Sequence, residues 1–184
     1  MAFHILEEPL PGLKVIKPDV FGDHRGFFKE MWSVGHFRNI GLELDLMQDN
    51  LSYSQKGILR GLHFQAPPHG QGKLVTVING QVLDVVVDIR KSSPTYGQHY
   101  AIELSGENHL MFYIPPGFAH GFLVQSETAL FHYKVSHSGY SKESEGGLMW
   151  NDPSLGIEWG ITEPILSDKD KEYVMFDAFE SPFP

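Results

Sequence analysis

The chain contains no cysteine. That absence excludes disulfides, a thiolate nucleophile and Cys-ligated metal. It also lacks a long apolar run, so no segment reads as a membrane-spanning helix. Its first residues, Met1-Ala2-Phe3-His4-Ile5-Leu6-Glu7-Glu8, offer neither a basic leader nor an apolar signal core, and a cytoplasmic setting is the expectation. Positive charge is scarce: 14 Lys and Arg stand against 23 Asp and Glu, a formal charge of -9. That balance argues against nucleic acid or an anionic membrane as partner, although a few local cations can still hold a small anion such as pyrophosphate. Arg25, Arg60 and Lys73 are the candidates for such a role. No glycine-rich loop stands between a strand and a helix, so a Rossmann dehydrogenase finds no support.

What is present suits one domain over residues 1–184, with 41% apolar residues and a core of ordinary size. The 19 Gly and 12 Pro are scattered as punctuation between short segments, without repeats or a linker. Short strands with frequent turn signals predict an all-β barrel or sandwich. Strands are expected over residues 13–17, 27–32, 46–52, 58–65, 73–78, 81–89, 100–104, 111–114, 121–125 and 129–135. Asn79-Gly80 is a two-residue hairpin signal between two of them. In the strand 81–89, Leu83, Val85, Val87 and Ile89 form an apolar face expected to pack on a second sheet, while Val82, Asp84, Val86 and Asp88 suit a polar cavity wall. Helix is limited to residues 34–40, with Ser33 as N-cap and Gly41 beyond the end, and a turn near 167–171. Residues 138–147 read as a mobile loop.

Several segments can carry chemistry. Leu59-Arg60-Gly61-Leu62-His63-Phe64-Gln65 sets a cation and an imidazole three residues apart in a strand. Strict alternation sends them to opposite faces, so both serve one cavity only if Gly61 marks a bulge or Arg60 sits at the rim. The plainer alternative is a surface Arg and a core His bonded to a carbonyl. Lys73 opens a strand on the face of Val75 and Val77, either snorkelling to solvent or functional. Pro115-Pro116-Gly117-Phe118-Ala119-His120 carries a Pro-x-Gly-x-x-His spacing that starts a strand with an inward His, as in the second cupin motif. Tyr133 shares a face with Phe131 and Val135, opposite His132 and Lys134, and its hydroxyl needs a partner if buried. Asp168 and Asp170, near a helix start, serve as caps or reach a His and fix its tautomer.

Together these segments resemble the dTDP-4-dehydrorhamnose 3,5-epimerases over nearly the whole chain. The order of motifs makes the resemblance specific: Phe21-Gly22-Asp23-His24-Arg25-Gly26-Phe27-Phe28, Gln48-Asp49-Asn50, the segment 59–65, Gln71-Gly72-Lys73, Asp84 to Asp88, the segment 114–122, Tyr133-Lys134, Trp150-Asn151-Asp152-Pro153, and Leu166-Ser167-Asp168-Lys169-Asp170. The resemblance implies a cupin-like double-stranded β-helix, a jelly-roll barrel with a few short helices. It implies a homodimer that uses no metal and no added cofactor. It implies an isomerase acting on a nucleotide-linked 4-keto-6-deoxyhexose at carbons 3 and 5.

By position, His63 matches the base, Asp170 the carboxylate that orients it, Tyr133 the acid on the other face, and Lys73 the cation at the keto oxygen. Arg60, Gln48 and Asn50 match groups near sugar and pyrophosphate, and His120 a cavity-lining polar residue. Arg25, Phe28 and Glu30 match a segment contributed by the neighbouring subunit. Where family members carry two adjacent aromatics after the Tyr-Lys pair, Val135-Ser136-His137-Ser138-Gly139-Tyr140 offers Tyr140 alone as a substrate contact. That departure keeps a 3-only or 5-only epimerase as an alternative. A metal cupin built on His63, His69 and His120 is a second alternative, although Gln65 replaces the second His of the first cupin motif. A non-catalytic binding module is a third.

Overall fold

Two antiparallel sheets face each other in the cupin-like jelly roll that the resemblance implies. The computed structural model describes residues 1–136 and 140–184. The larger sheet runs in the order β1 (Phe3–Glu7), β2 (Lys14–Pro18), β10 (Met111–Ile114), β7 (Lys73–Asn79), β12 (Thr128–Ser136), β5 (Leu46–Gln55). The smaller runs β13 (Glu145–Gly147), β6 (Leu59–Gln65), β11 (Phe118–Val124), β8 (Gln81–Asp88), β9 (His99–Ser105). A separate hairpin pairs β3 (Val20–Asp23) with β4 (Gly26–Lys29). No helix among the described residues is long and apolar enough to cross a membrane.

The sandwich interior is apolar at one end. Val75, Val77, Phe112 and Phe131 of the larger sheet meet Val82, Val86 and Phe122 of the smaller. Phe122 stacks on Phe131 with centroids 4.1 Å apart. Each such side chain contributes about 1.5–3 kcal/mol on burial, enough to fix how the two sheets face each other. The one α-helix among the described residues, α1 (Val34–Asn39), begins where Ser33 Oγ accepts the His36 N–H at 3.4 Å, and the chain leaves it through Gly41 at φ +78°. It lays Phe37 on the outer face of the larger sheet, with ring centroids 4.4 Å from both Phe3 and Trp32.

Four expectations are corrected. Asn79-Gly80 closes no hairpin: β7 pairs with β10 and β12, whereas β8 pairs with β11 and β9. Gly80, at φ +85°, turns the chain from one sheet to the other, and a Cβ there would meet the Thr128 carbonyl oxygen at 2.1 Å. The dipeptide supplies a tight corner, but burial decides which strands pair. Second, the odd face of β8 does not meet the other sheet. Val85, Val87 and Ile89 are covered from outside by Leu148, Leu155, Trp159 and Phe183 of the C-terminal coil, and the even face looks inward.

Third, residues 140–147 are not a loop throughout. A 3-10 turn at Lys142–Ser144 leads into β13, which pairs with β6 because Gly146 and Gly147 leave room for the rings of Phe64 and Tyr173. Residues 137–139 of that stretch, and of the departure noted above, lie outside the described residues. Finally, β4 stops at Lys29, where its partner β3 begins, and β11 starts at Phe118, directly after the positive-φ Gly117.

Candidate active site

The site begins with a fault in the pairing of β6 with β11. His120 lies opposite His63, but Phe122 lies opposite Arg60, so the two strands slip past each other between these pairs. Gly61 (φ +125°) absorbs the slip, and a Cβ on it would fall 2.4 Å from Gly121 Cα. Two facing glycines therefore permit the bulge, which brings Arg60 and His63 to one cavity despite their spacing. Arg60 is exposed at the rim, with Nε donating to Ser54 Oγ at 3.1 Å.

The cavity holds about 430 Å3, within the range of small-ligand sites. Arg60, His63, Lys73, His120, Tyr133 and Asp170 line it, with an apolar side from Ile58, Phe122 and Phe131. His63 comes from β6 in the smaller sheet, and Lys73 and Tyr133 from β7 and β12 in the larger. Lys73 lies opposite Val135, and Tyr133 opposite Val75, so the ammonium and the phenol are diagonal neighbours on one inner face.

His63 Nε2 donates to Asp170 Oδ1 at 2.5 Å. The second carboxylate oxygen accepts from Ser167 Oγ at 2.7 Å. Asp170 is buried on the 3-10 turn Lys169–Lys171. Burial opposes its ionisation, but the bonds from His63 and Ser167 outweigh burial and hold its pKa below the usual range. With Nε2–H engaged, Nδ1 of His63 is the bare nitrogen. Asp168, by contrast, is exposed and pairs with Lys171 at 2.9 Å.

Burial lowers the Lys73 pKa to about 8, against the pull of the Asp84 and Glu145 carboxylates. Burial raises the Tyr133 pKa, with Arg60 opposing. His120 Nε2 lies 2.9 Å from Asp84 Oδ2, and both groups are buried. Burial lowers the His120 pKa, which Asp84 resists.

The remaining expected residues lie elsewhere. Gln48 and Asn50 continue the inner face of β5 beyond the cavity-lining Ser52, with Gln48 Nε2 donating to Asn50 Oδ1 at 2.8 Å. Tyr140 is exposed at the surface and bonds to Glu145, which also pairs with Lys169. Arg25, Phe28 and Glu30 do not line their own chain's cavity. Arg25 pairs with Asp23 at 2.5 Å, Phe28 is 59% exposed, and Glu30 bonds to His36 Nδ1 at 2.7 Å. His132 and Lys134 turn away from the cavity and both pair with Asp49. His69 is at the surface, bonded to Ser144, and no group of three His, Asp or Glu side chains suited to a metal occurs among the described residues.

Two contributors, Ser167 and Glu145, escaped the sequence reading, and a third, Asp84, was expected on a polar cavity wall but given no partner. The structure gives Asp84 its partner in His120. Ser167 had a signal, a Ser three residues before an Asp at a turn. Glu145 had none, because its strand read as loop.

A family model described as dTDP-4-dehydrorhamnose 3,5-epimerase matches residues 7–178. A dTDP-4-dehydrorhamnose 3,5-epimerase of Shigella flexneri is 48% identical over 180 residues, covering 96% of this chain and 99% of that one. The crystal structure of the enzyme of that name from Elizabethkingia anophelis NUHP1 superposes with a TM-score of 0.89 at 47% identity, covering 96% and 98% of the two chains. A dTDP-6-deoxy-D-glucose-3,5-epimerase from Legionella pneumophila Philadelphia 1, solved in complex with dTDP-4-keto-L-rhamnose, gives 0.92 at 44% identity, covering 99% and 97%. An imidazole–carboxylate pair, a cavity between two sheets and this degree of likeness lead to one conclusion: the chain belongs to the dTDP-4-dehydrorhamnose 3,5-epimerase family.

Proposed function

We propose that the chain, acting as one domain, epimerises dTDP-4-dehydro-6-deoxyglucose at carbons 3 and 5 to give dTDP-4-dehydrorhamnose. The observation that carries this reading is the placement of His63 and Tyr133 on opposite sheets around one cavity, with Lys73 beside Tyr133. Both carbons flank the ketone, which acidifies their C–H bonds. Nδ1 of His63 removes the proton, and the electron pair moves onto the keto oxygen as an enolate. The Lys73 ammonium stabilises that oxyanion more than the ketone, which lowers the barrier. Tyr133 returns a proton to the opposite face of the carbon, and the centre inverts. A single base on one face restores the starting sugar, so the two-sheet arrangement matters.

Asp170 keeps the His63 proton on Nε2 throughout. Arg60, Gln48, Asn50 and Tyr140 bind the nucleotide sugar, and His120 closes the cavity wall. The chain works as a homodimer in which the Arg25–Glu30 segment reaches the neighbouring subunit's site. Its hairpin supports this, joining no other strand among the described residues and leaving Phe21, Phe27 and Phe28 more than half exposed. The same reading keeps the cytoplasmic setting.

The test is turnover of dTDP-4-keto-6-deoxyglucose by the purified protein, read by proton NMR of the sugar. Conversion that disappears in His63→Asn is the expected result. A protein that binds the nucleotide sugar and leaves both carbons unchanged contradicts the proposal. Inversion at a single carbon assigns the mono-epimerase alternative.

A further inference from the structure

Tyr173 lies outside the cavity lining, yet its ring packs edge-on against His63, with centroids 5.6 Å apart at an interplanar angle of 63°. Two constraints hold it there. The adjacent Val174 bridges Leu148, and its carbonyl accepts from Met149 N–H at 2.9 Å. Facing it is Gly147, the cross-strand partner of His63. A Cβ on Gly147 would come 2.6 Å from Tyr173 Cε2 and Cζ, so glycine at this position lets the phenol ring lie on β13 beside the imidazole.

The Tyr173 hydroxyl is buried without a hydrogen-bond partner among the described residues. Burial, reinforced by the Glu145 and Asp170 carboxylates, drives its pKa well above the usual phenol value. It therefore stays neutral, and it does not line the cavity. The ring is what acts on His63.

We infer that Tyr173 is a positioning residue, a wall that stops the His63 ring from rocking about its bond to Asp170 and holds Nδ1 toward the substrate. One hydrogen bond at Nε2 fixes one point of the imidazole and leaves rotation about that bond open. The Tyr173 ring packed edge-on beside the imidazole removes that freedom. The inference rests on the His63 base proposed above.

The experiment compares Tyr173→Phe, Tyr173→Leu and Tyr173→Ala with wild type for kcat, KM and melting temperature on dTDP-4-keto-6-deoxyglucose. The Leu and Ala variants are expected to lose about tenfold or more in kcat with KM within about twofold, since displacement of a reacting group by about 1 Å has costs of that order. The Phe variant is expected to keep kcat and to melt no lower than wild type, because it discards an unpaired hydroxyl. Leucine fills much of the ring's volume and keeps the test open if the Ala variant does not fold. Wild-type kcat in the folded Leu variant overturns the inference, and so does a Phe variant as slow as the Leu variant. His63→Asn in the same assay separates the two claims: if it still turns over, the base assignment has failed, and the positioning role falls with it. If it is inactive while Tyr173→Leu runs at full speed, only the positioning role is lost.

Discussion

His63 and His120 face each other in register across β6 and β11, and each closes on a different carboxylate: His63 on Asp170 at 2.5 Å, His120 on Asp84 at 2.9 Å. The division sets their chemistry apart. The His63 side chain is 32% exposed and opens on the cavity, while that of His120 is 8% exposed. Burial, with Lys73 and His63 nearby, lowers the His120 pKa in spite of Asp84. Two imidazoles in one site therefore do not compete for the same role.

Asp170→Asn keeps the shape of the side chain and replaces an acceptor with an amide. His63 then loses the partner that fixes its tautomer, and kcat is expected to fall between about 10² and 10⁴-fold. Because the folded pKa of Asp170 is depressed, its stabilising contribution is complete above pH about 4 and is lost as the pH falls through the folded value. Acid unfolding curves check this: the variant loses less stability on acidification than wild type, from a lower starting point.

Lys73→Met separates function from stability. The ammonium is held near a pKa of about 8, so its charge is present below that pH and lost as the pH rises through it. Turnover by wild type is expected to decline above pH about 8. The unfolded chain binds this proton more tightly, so between about 8 and the ordinary lysine value of 10.5 the contribution of Lys73 to stability rises with pH. Removing the buried charge is expected to raise the melting temperature at pH 7 while slowing turnover about a hundredfold or more.

Asp84→Asn tests who sustains that charge. The Asp84 carboxylate pulls the Lys73 pKa upward against burial. Without it Lys73 loses its proton at lower pH, and the alkaline limb of the rate profile moves down. A profile unchanged in position contradicts this coupling.

Gly61→Ala probes the bulge. The new Cβ would meet Gly121 Cα at 2.4 Å and the His120 carbonyl oxygen at 2.8 Å, at a φ of +125°. Both neighbours are backbone, so the strands must part. A loss of about 2–4 kcal/mol in urea unfolding is expected, together with loss of turnover as Arg60 and His63 separate.

The site was legible where chemistry and spacing reinforce each other. Arg60 and His63 could share a cavity only through a bulge at Gly61 or a rim position for Arg60, and the structure has both. Asp170 is the acid that reaches a His, while Asp168 serves Lys171. The failures were also physical. Asn79-Gly80 specifies a local corner and says nothing of which sheet receives the next strand. The odd face of β8 is apolar because of Leu148, Trp159 and Phe183, whose coil has no periodicity to announce it. β13 is three residues long with two glycines, so neither Glu145 nor the Tyr173 ring seated on Gly147 had a pattern to reveal it.

The most direct test of the account uses dTDP-4-keto-6-deoxyglucose in deuterated water with wild type and with Tyr133→Phe. Wild type is predicted to place deuterium at carbons 3 and 5 with inversion. Tyr133→Phe is predicted to exchange those positions through His63 with little or no inversion. Wild type that leaves both carbons protonated, or a Phe variant that inverts them at the wild-type rate, contradicts a base and an acid acting from opposite sheets.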